Sequence, residues 1–288
     1  MKLGTRGSAL ALVQARAVAA ALGGDAEIVE IITSGDRGVR THPSDKARWI
    51  DTIEDALERG VIDLAVHSAK DVPAQTLLRP GMRLAAVLGR EDPRDALVGA
   101  PSLEALPAGA RVGTASLRRR AQLLAVRDDL EVVELRGNVD TRLRKLRDGD
   151  CDALVLAAAG LRRLGREDEI GALLDPTVFV PAPGQGALAV EGRAIPAGLV
   201  HPGTDAQLRA ERHVVEALEA TCDTPVGVHH DGTALHAFVG LPDGSAWLRD
   251  SVVADGAGAA ASLLVERLES MGARALLARA EALAAEAS

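Results

Sequence analysis

Four short segments of this chain set hydroxyls, cations and carboxylates at points where apolar, strand-like runs give way to helix starts. In Thr5-Arg6-Gly7-Ser8, a hydroxyl and open backbone N–H groups at a helix N-terminus, with a guanidinium beside them, form an anion site; taken alone, Ser8 also reads as a plain N-cap. The run Val66-His67-Ser68-Ala69-Lys70-Asp71-Val72-Pro73 closes a strongly apolar strand. Pro73 restrains the turn, and Lys70 and Asp71 bring a cation and a carboxylate together where the strand emerges, unless they are only a surface ion pair of little energetic weight. In Val112 to Arg120, Thr114 and Ser116 precede Arg118 and Arg119 in a helix's first turn. The macrodipole disfavours cations there, so the pattern calls for an anion, and ligand carboxylates would answer it; the alternative is an arginine face in solvent. In Leu135 to Arg142, Arg136 and Gly137 form the turn and Arg142 lies one turn into the next helix. Three successive basic loops on one sheet would make a concave positive surface suited to a polyanion, which a net charge of −8 conceals. Arg144, Lys145 and Arg147 belong on an ordinary solvent face.

Cys222, in Ala220-Thr221-Cys222-Asp223-Thr224-Pro225, stands in a loop after a helix, a less usual place for a core residue than the strand flank that holds Cys151. A lone cysteine is ordinarily inert, and reactivity needs an exposed, electropositive setting. His229 and His230 with a single cysteine do not make a zinc pattern, and no metal is expected.

Strands are expected at 2–5, 28–32, 62–67, 83–87, 112–114, 131–135 and 153–157, alternating with helices, which reads as an α/β architecture with largely parallel sheets. Leu10, Val13 and Ala17 are expected to share a helical face, as are Ile50, Ile53 and Leu57. Ligands of such folds sit outside the carboxyl ends of the strands, where the motif loops fall. The last ~80 residues differ: a helix over 205–220, strands over 234–241 and 246–253 joined by Pro242-Asp243-Gly244, then alanine-rich helices, which suggests a separate α+β domain. Pro181 to Gly186 and Gly192 to Gly203 have linker composition.

With 288 residues, 47% of them hydrophobic, the chain can bury a core in each of two or three domains. Its four aromatics are Trp49, Phe179, Phe238 and Trp247, so base-stacking platforms are not expected, and the acidic balance argues against nucleic-acid binding. The N-terminal residues lack a signal-peptide run, no stretch reaches the ~18 apolar residues of a membrane span, and two isolated cysteines suit a reducing cytoplasm.

Taken in order, TRGSALAL, IDLAVHSAKDVPA, REDPRDALV, LPAGARVGTASLRRRAQL, LRGNVDTRLRKL, DALVLAAAGLRRLG, PAPGQGAL and TCDTPVG resemble the porphobilinogen deaminase (hydroxymethylbilane synthase) family over essentially the whole chain. The resemblance implies two lobes like those of type II periplasmic binding proteins plus a smaller C-terminal α+β domain. Domain 1 would be residues 1–86 and 187–204, domain 2 residues 92–180 and domain 3 residues 205–288, with the chain crossing near Gly89 and Pro183.

It further implies a transferase of tetrapyrrole and haem biosynthesis, monomeric and cytoplasmic, which joins four porphobilinogens head to tail on a dipyrromethane cofactor linked through a thioether to Cys222. Loss of ammonia from porphobilinogen leaves an azafulvenium cation, and Asp71 matches the carboxylate that would stabilise it and move protons. Ser68, Lys70, Asp71, Thr114, Ser116, Arg118, Arg119, Arg136 and Gly137 would hold the cofactor, and Arg6, Ser8 and Arg142 the incoming substrate. The chain departs from the family pattern at Asp45 to Glu54, where a glycine- and lysine-rich lid with a Lys-Glu pair is usual and Trp49 stands for the common phenylalanine. It departs again at Ala220-Thr221, where two glycines are common. A diverged paralogue, or a two-lobed small-anion-binding protein without efficient turnover, is the alternative, because fold alone does not decide chemistry.

Overall fold

The computed structural model describes residues 1–36, 50–74, 78–221 and 224–286. Strands β1 (Lys2–Thr5), β2 (Glu27–Glu30), β3 (Leu64–Ser68) and β4 (Arg83–Val87) belong to one five-stranded sheet. Strands β5 (Asp95–Val98), β6 (Arg111–Gly113), β7 (Glu131–Val133), β8 (Ala153–Ala157) and β9 (Ile170–Leu173) form a second. Strand β10 (Leu188–Gly192) returns to the first, which runs β2-β1-β3-β10-β4, and the second runs β7-β6-β8-β5-β9.

The two orders are the same pattern. In each, four strands run the same way and the fourth in line is antiparallel to both neighbours: β10 pairs with β3 and β4, and β5 with β8 and β9. Each antiparallel strand is the one the chain enters after crossing from the other sheet, and the remaining four strands of each sheet run the same way, as an expectation of largely parallel sheets requires. Strands β5, β9 and β10 are absent from the sequence expectation, because runs as short as Asp-Ala-Leu-Val carry little periodicity.

Helix α1 (Ala9–Ala21) is alanine-rich, starts on the Ser8 cap and ends before Gly23, whose φ of +93° suits glycine. Its buried face is Gln14, Ala15, Val18 and Ala19, not Leu10, Val13 and Ala17: Ala17 is exposed, and Leu10 is turned toward Gly160 in the other lobe. The helix has two neighbours, the sheet and the facing lobe, so a single apolar stripe misplaces its buried side. Helix α2 (Asp51–Glu58) follows expectation: Ile53 and Leu57 are buried against Ile62 and Ala65, and Ile50, at its N-cap, is buried as well. The second lobe carries α3 (Leu117–Val126), α4 (Val139–Arg147) and α5 (Ala158–Arg163).

The C-terminal unit begins with α6 (Pro202–Ala217), whose proline occupies the first turn, where no N–H is needed. A meander of β11 (Val226–His230), β12 (Leu235–Gly240) and β13 (Trp247–Val252) follows, then α7 (Ala257–Ser270) and α8 (Ala273–Glu286). Its core is Leu, Val and Ala from α6, the three strands and both last helices. The two-lobed α/β architecture with a smaller α+β unit agrees with the fold class expected.

Candidate active site

A cleft opens between the lobes, and its empty space of about 480 Å3 runs out into open solvent. Lobe 1 supplies Leu10 and Gln14 from α1 and Ser68 and Lys70 from the end of β3. Lobe 2 supplies Arg119 from α3, Val139 and Arg142 from α4, and Leu156, Ala157, Ala159, Gly160 and Arg163 from β8 and α5. Gly186, on the returning crossover, completes the wall.

The strand ends place the charges. β3 runs directly into a 3-10 turn over Ala69–Asp71, so Lys70 and Asp71 leave the sheet together, both half-buried. Lys70 Nζ donates to Gln185 Oε1 at 3.2 Å. Burial, reinforced by the Arg119 and Arg118 cations and opposed by Asp71 and Asp95, pulls the Lys70 ammonium down to about 7. Arg142 is pulled down to about 10, first by burial and then by Arg119, against the attraction of Asp71. Its Nε is buried without a hydrogen-bond partner. Asp71 therefore lies in the field of both Lys70 and Arg142, although it does not itself line the cleft.

Several expected site residues stand differently. The anion demanded by the first-turn arginines of α3 is the protein's own Asp95. Arg118 is buried, with Nη1 donating to Asp95 Oδ2 at 2.8 Å and to Val180 O at 2.7 Å, so it does not reach the cleft. Arg119, one residue on, pairs with Asp95 through Nε (3.0 Å) yet keeps an edge on the cleft. Arg136 is exposed and paired with Glu134, outside the cleft lining. Arg6 pairs with Asp36, Nη2 to Oδ1 at 2.5 Å.

The hydroxyls serve the turns. Ser8 and Ser116 cap α1 and α3, accepting from the N–H groups of Ala11 (3.3 Å) and Arg119 (3.4 Å), while Thr114 Oγ1 accepts from the Ser116 N–H (3.2 Å). Gly137, with φ +126°, lets Asn138 cap α4, and a Cβ there would lie 2.8 Å from Thr141 Cγ2.

Cys222 and Trp49 lie outside the described residues, as does the lid stretch 45–49. Cys151 is buried, which pushes its thiol up. Among the described residues no group of three or more His, Cys, Asp and Glu could hold a metal ion, and no helix is long and apolar enough to cross a membrane.

Sequence reasoning missed Gln185, Asp95 and Arg163. Gln185 was covered by the linker reading of Pro181 to Gly186, yet it is buried and its side chain contacts Lys70, Arg119 and Asp95. Arg163 lines the cleft and donates to Gly186 O at 2.7 Å. The two adjacent first-turn arginines called for an anion, but nothing local pointed to Asp95 as that anion.

A cleft between two α/β lobes, lined by the cations Lys70, Arg119, Arg142 and Arg163, two of them in the field of Asp71, has the charge to receive an acidic small molecule. Residues 1–199 match the family model described as "Porphobilinogen deaminase, dipyromethane cofactor binding domain". The porphobilinogen deaminase of Roseiflexus castenholzii is 45% identical, over 96% of this chain and 98% of that protein. That of Caulobacter sp. (strain K31) is 47% identical over 85% of each. Among solved structures, a nutrient binding protein from Burkholderia cenocepacia bound to methionine is similar over 67% of this chain and 85% of that one, at 16% identity and a TM-score of 0.40. This chain belongs to the porphobilinogen deaminase family. The residues present fit a carboxylate-bearing cofactor, since the buried, unpartnered Arg142 Nε and the Lys70 ammonium lack a full complement of counter-charges.

Proposed function

We propose that this chain polymerises four porphobilinogens head to tail into hydroxymethylbilane, releasing ammonia, on a dipyrromethane held by a thioether to Cys222. The bound dipyrromethane would supply the nucleophilic pyrrole carbon on which the product is built. Each substrate brings an acetate and a propionate, so every addition adds two negative charges to the cleft. Lys70, Arg119 and Arg142 would neutralise them, with Ser68, Thr114, Ser116 and the Gly137 turn donating hydrogen bonds, and Arg6, Ser8 and Arg136 engaging carboxylates nearer the rim. Arg118 would act through Asp95 and Arg119. Asp71, whose charge acts on both Lys70 and Arg142, would stabilise the cation left when ammonia departs and move protons at the pyrrole nitrogens.

The observation that carries this reading is the Nε of Arg142, buried without a hydrogen-bond partner on a side chain that shares a cleft with Lys70 and lies in the field of Asp71. The domains would be 1–86 with 187–204, 92–180 and 205–288, the first two closing on substrate and the third presenting Cys222. The protein would act in the cytoplasm as a monomer, with no nucleic-acid or membrane partner.

The test has two arms. The intact mass of the purified protein should exceed that of the bare chain by one dipyrromethane, and Cys222→Ser should abolish the excess. Asp71→Asn should keep its fold and lose nearly all turnover; a wild-type rate in that variant would exclude the assignment of Asp71. A bare-chain mass that incubation with porphobilinogen does not change would support a diverged binder instead.

A further inference from the structure

Asp95 is the first residue of β5, where the chain has just crossed into the second lobe, and its side chain is wholly buried. Its oxygens accept from Arg118 Nη1 (2.8 Å) and Nη2 (3.3 Å), Arg119 Nε (3.0 Å) and Gln185 Nε2 (2.9 Å). Gln185 lies on the crossover that returns to lobe 1. Its Nε2 also donates to Pro93 O at 2.7 Å, and its Oε1 accepts from Lys70 Nζ (3.2 Å) and Arg119 Nη2 (3.4 Å). An amide has one donor end and one acceptor end. With Asp95 and Pro93 taking the donor end, the acceptor end must face the two cations. A carboxylate that never meets the cleft thus dictates what Lys70 meets there.

We propose that Asp95 is a positioning residue for the cleft lysine: by orienting the Gln185 amide and balancing Arg118 and Arg119, it holds Lys70 in place as an ammonium ready for a substrate carboxylate. The inference rests on the cleft being the substrate site. The groups that set the charge of Lys70 are Asp71 from its own turn, Arg118 and Arg119 from α3, and Asp95 from β5. Arg142 and Arg163 share the cleft as further cations. Lys70 is poised near neutrality at about 7, and Asp95 is one of the two carboxylates that keep it from falling further. Asn at position 95 would remove that carboxylate, leave every cation, and free the amide to turn its donor end toward Lys70. Both effects favour the neutral amine, so Lys70 should lose its proton at lower pH.

The chain has four lysines, Lys2, Lys46, Lys70 and Lys145, so the signals of 13Cε-lysine in the whole protein can be told apart, with Lys70→Arg identifying the one that disappears. In Asp95→Asn the Lys70 titration midpoint should fall by about one pH unit, a tenfold change in its proton affinity. In turnover assays at pH 7 the KM for porphobilinogen should rise more than kcat falls. Gln185→Met leaves Asp95 and both arginines in place and removes only the amide; it should lower the midpoint as well, and it carries the test if Asp95→Asn does not fold. A folded Asp95→Asn or Gln185→Met protein with an unmoved Lys70 midpoint would overturn the proposal and leave Asp95 a purely structural counter-ion. The titration uses no substrate, so its outcome is separate from the failure of the substrate reading, which the Asp71→Asn and mass experiments report.

Discussion

Glu211→Gln should weaken the junction between the crossovers and the C-terminal unit by about 3 kcal/mol. Glu211 lies on α6, is completely buried, and collects donors from three parts of the chain. Arg90, on the outgoing crossover, makes a fork, Nη1 to Oε1 at 2.6 Å and Nη2 to Oε2 at 3.1 Å. Gly184 N–H, on the returning crossover, donates at 2.6 Å, and His230 N–H, on β11, at 2.8 Å. Burial alone would raise this carboxyl, but Arg90 and the neighbouring His229 outweigh it and hold it at about 2, against an ordinary 4.5. At ~1.4 kcal/mol per unit the difference amounts to about 3 kcal/mol, the low end of the ~3–5 kcal/mol expected when one partner of a buried pair is removed.

A depressed acid stabilises above its unfolded value and ceases to do so as pH falls through its folded one, so the contribution should be present at neutral pH and fade between pH 4.5 and 2. The assay is amide hydrogen exchange at Gly184 and His230, read residue by residue. At pH 7 exchange at both should quicken by about a hundredfold in the variant, since ~1.4 kcal/mol is a factor of ten. On acidification the wild type should approach the variant. Unchanged protection in Glu211→Gln, or an identical acid response in both proteins, would refute the reasoning.

Arg142→Met should melt at the same temperature as wild type or higher, because it removes a buried guanidinium nitrogen that has no partner, while the KM for porphobilinogen rises several-fold. A lower melting temperature with an unchanged KM would place Arg142 in the scaffold. Burial and the nearby Glu191 push the Glu54 carboxyl up, so its contribution is present at low pH and lost as pH rises through the folded value. Glu54→Gln should therefore be tolerated at pH 7 and flatten the pH dependence of the melting temperature; a loss beyond ~1 kcal/mol at pH 7 would show that its contact with Arg79 at 3.7 Å matters more. Gly137→Ala should cost ~1–3 kcal/mol, from its φ of +126° and the clash with Thr141, and should weaken substrate binding through the displaced start of α4. A variant that melts and binds as wild type would refute the need for glycine there.

Much of the molecule is legible in the sequence. Helix starts at Ser8 and Ser116 are local, since a hydroxyl must reach an N–H three residues on, and the chain states that spacing directly. The strands carrying the motif loops were found because they are apolar and bounded by turn residues, and the order of the motifs led to the family. What local pattern could not supply was which side chain faces what. Arg118 and Arg119 are adjacent and identical in type, yet one is consumed by Asp95 and Val180 while the other keeps an edge on the cleft. The antiparallel strands β5 and β10 acquire their places from the two crossovers, and Gln185, in a stretch of linker composition, becomes the contact of Lys70 through partners some ninety residues away. The sequence by itself determined the inventory of charges and the turns that carry them, because capping and periodicity act over a few residues. Only the tertiary structure decided which charges cancel inside the protein and which are left for a ligand, because that balance is set by burial and by pairing between residues far apart in the chain.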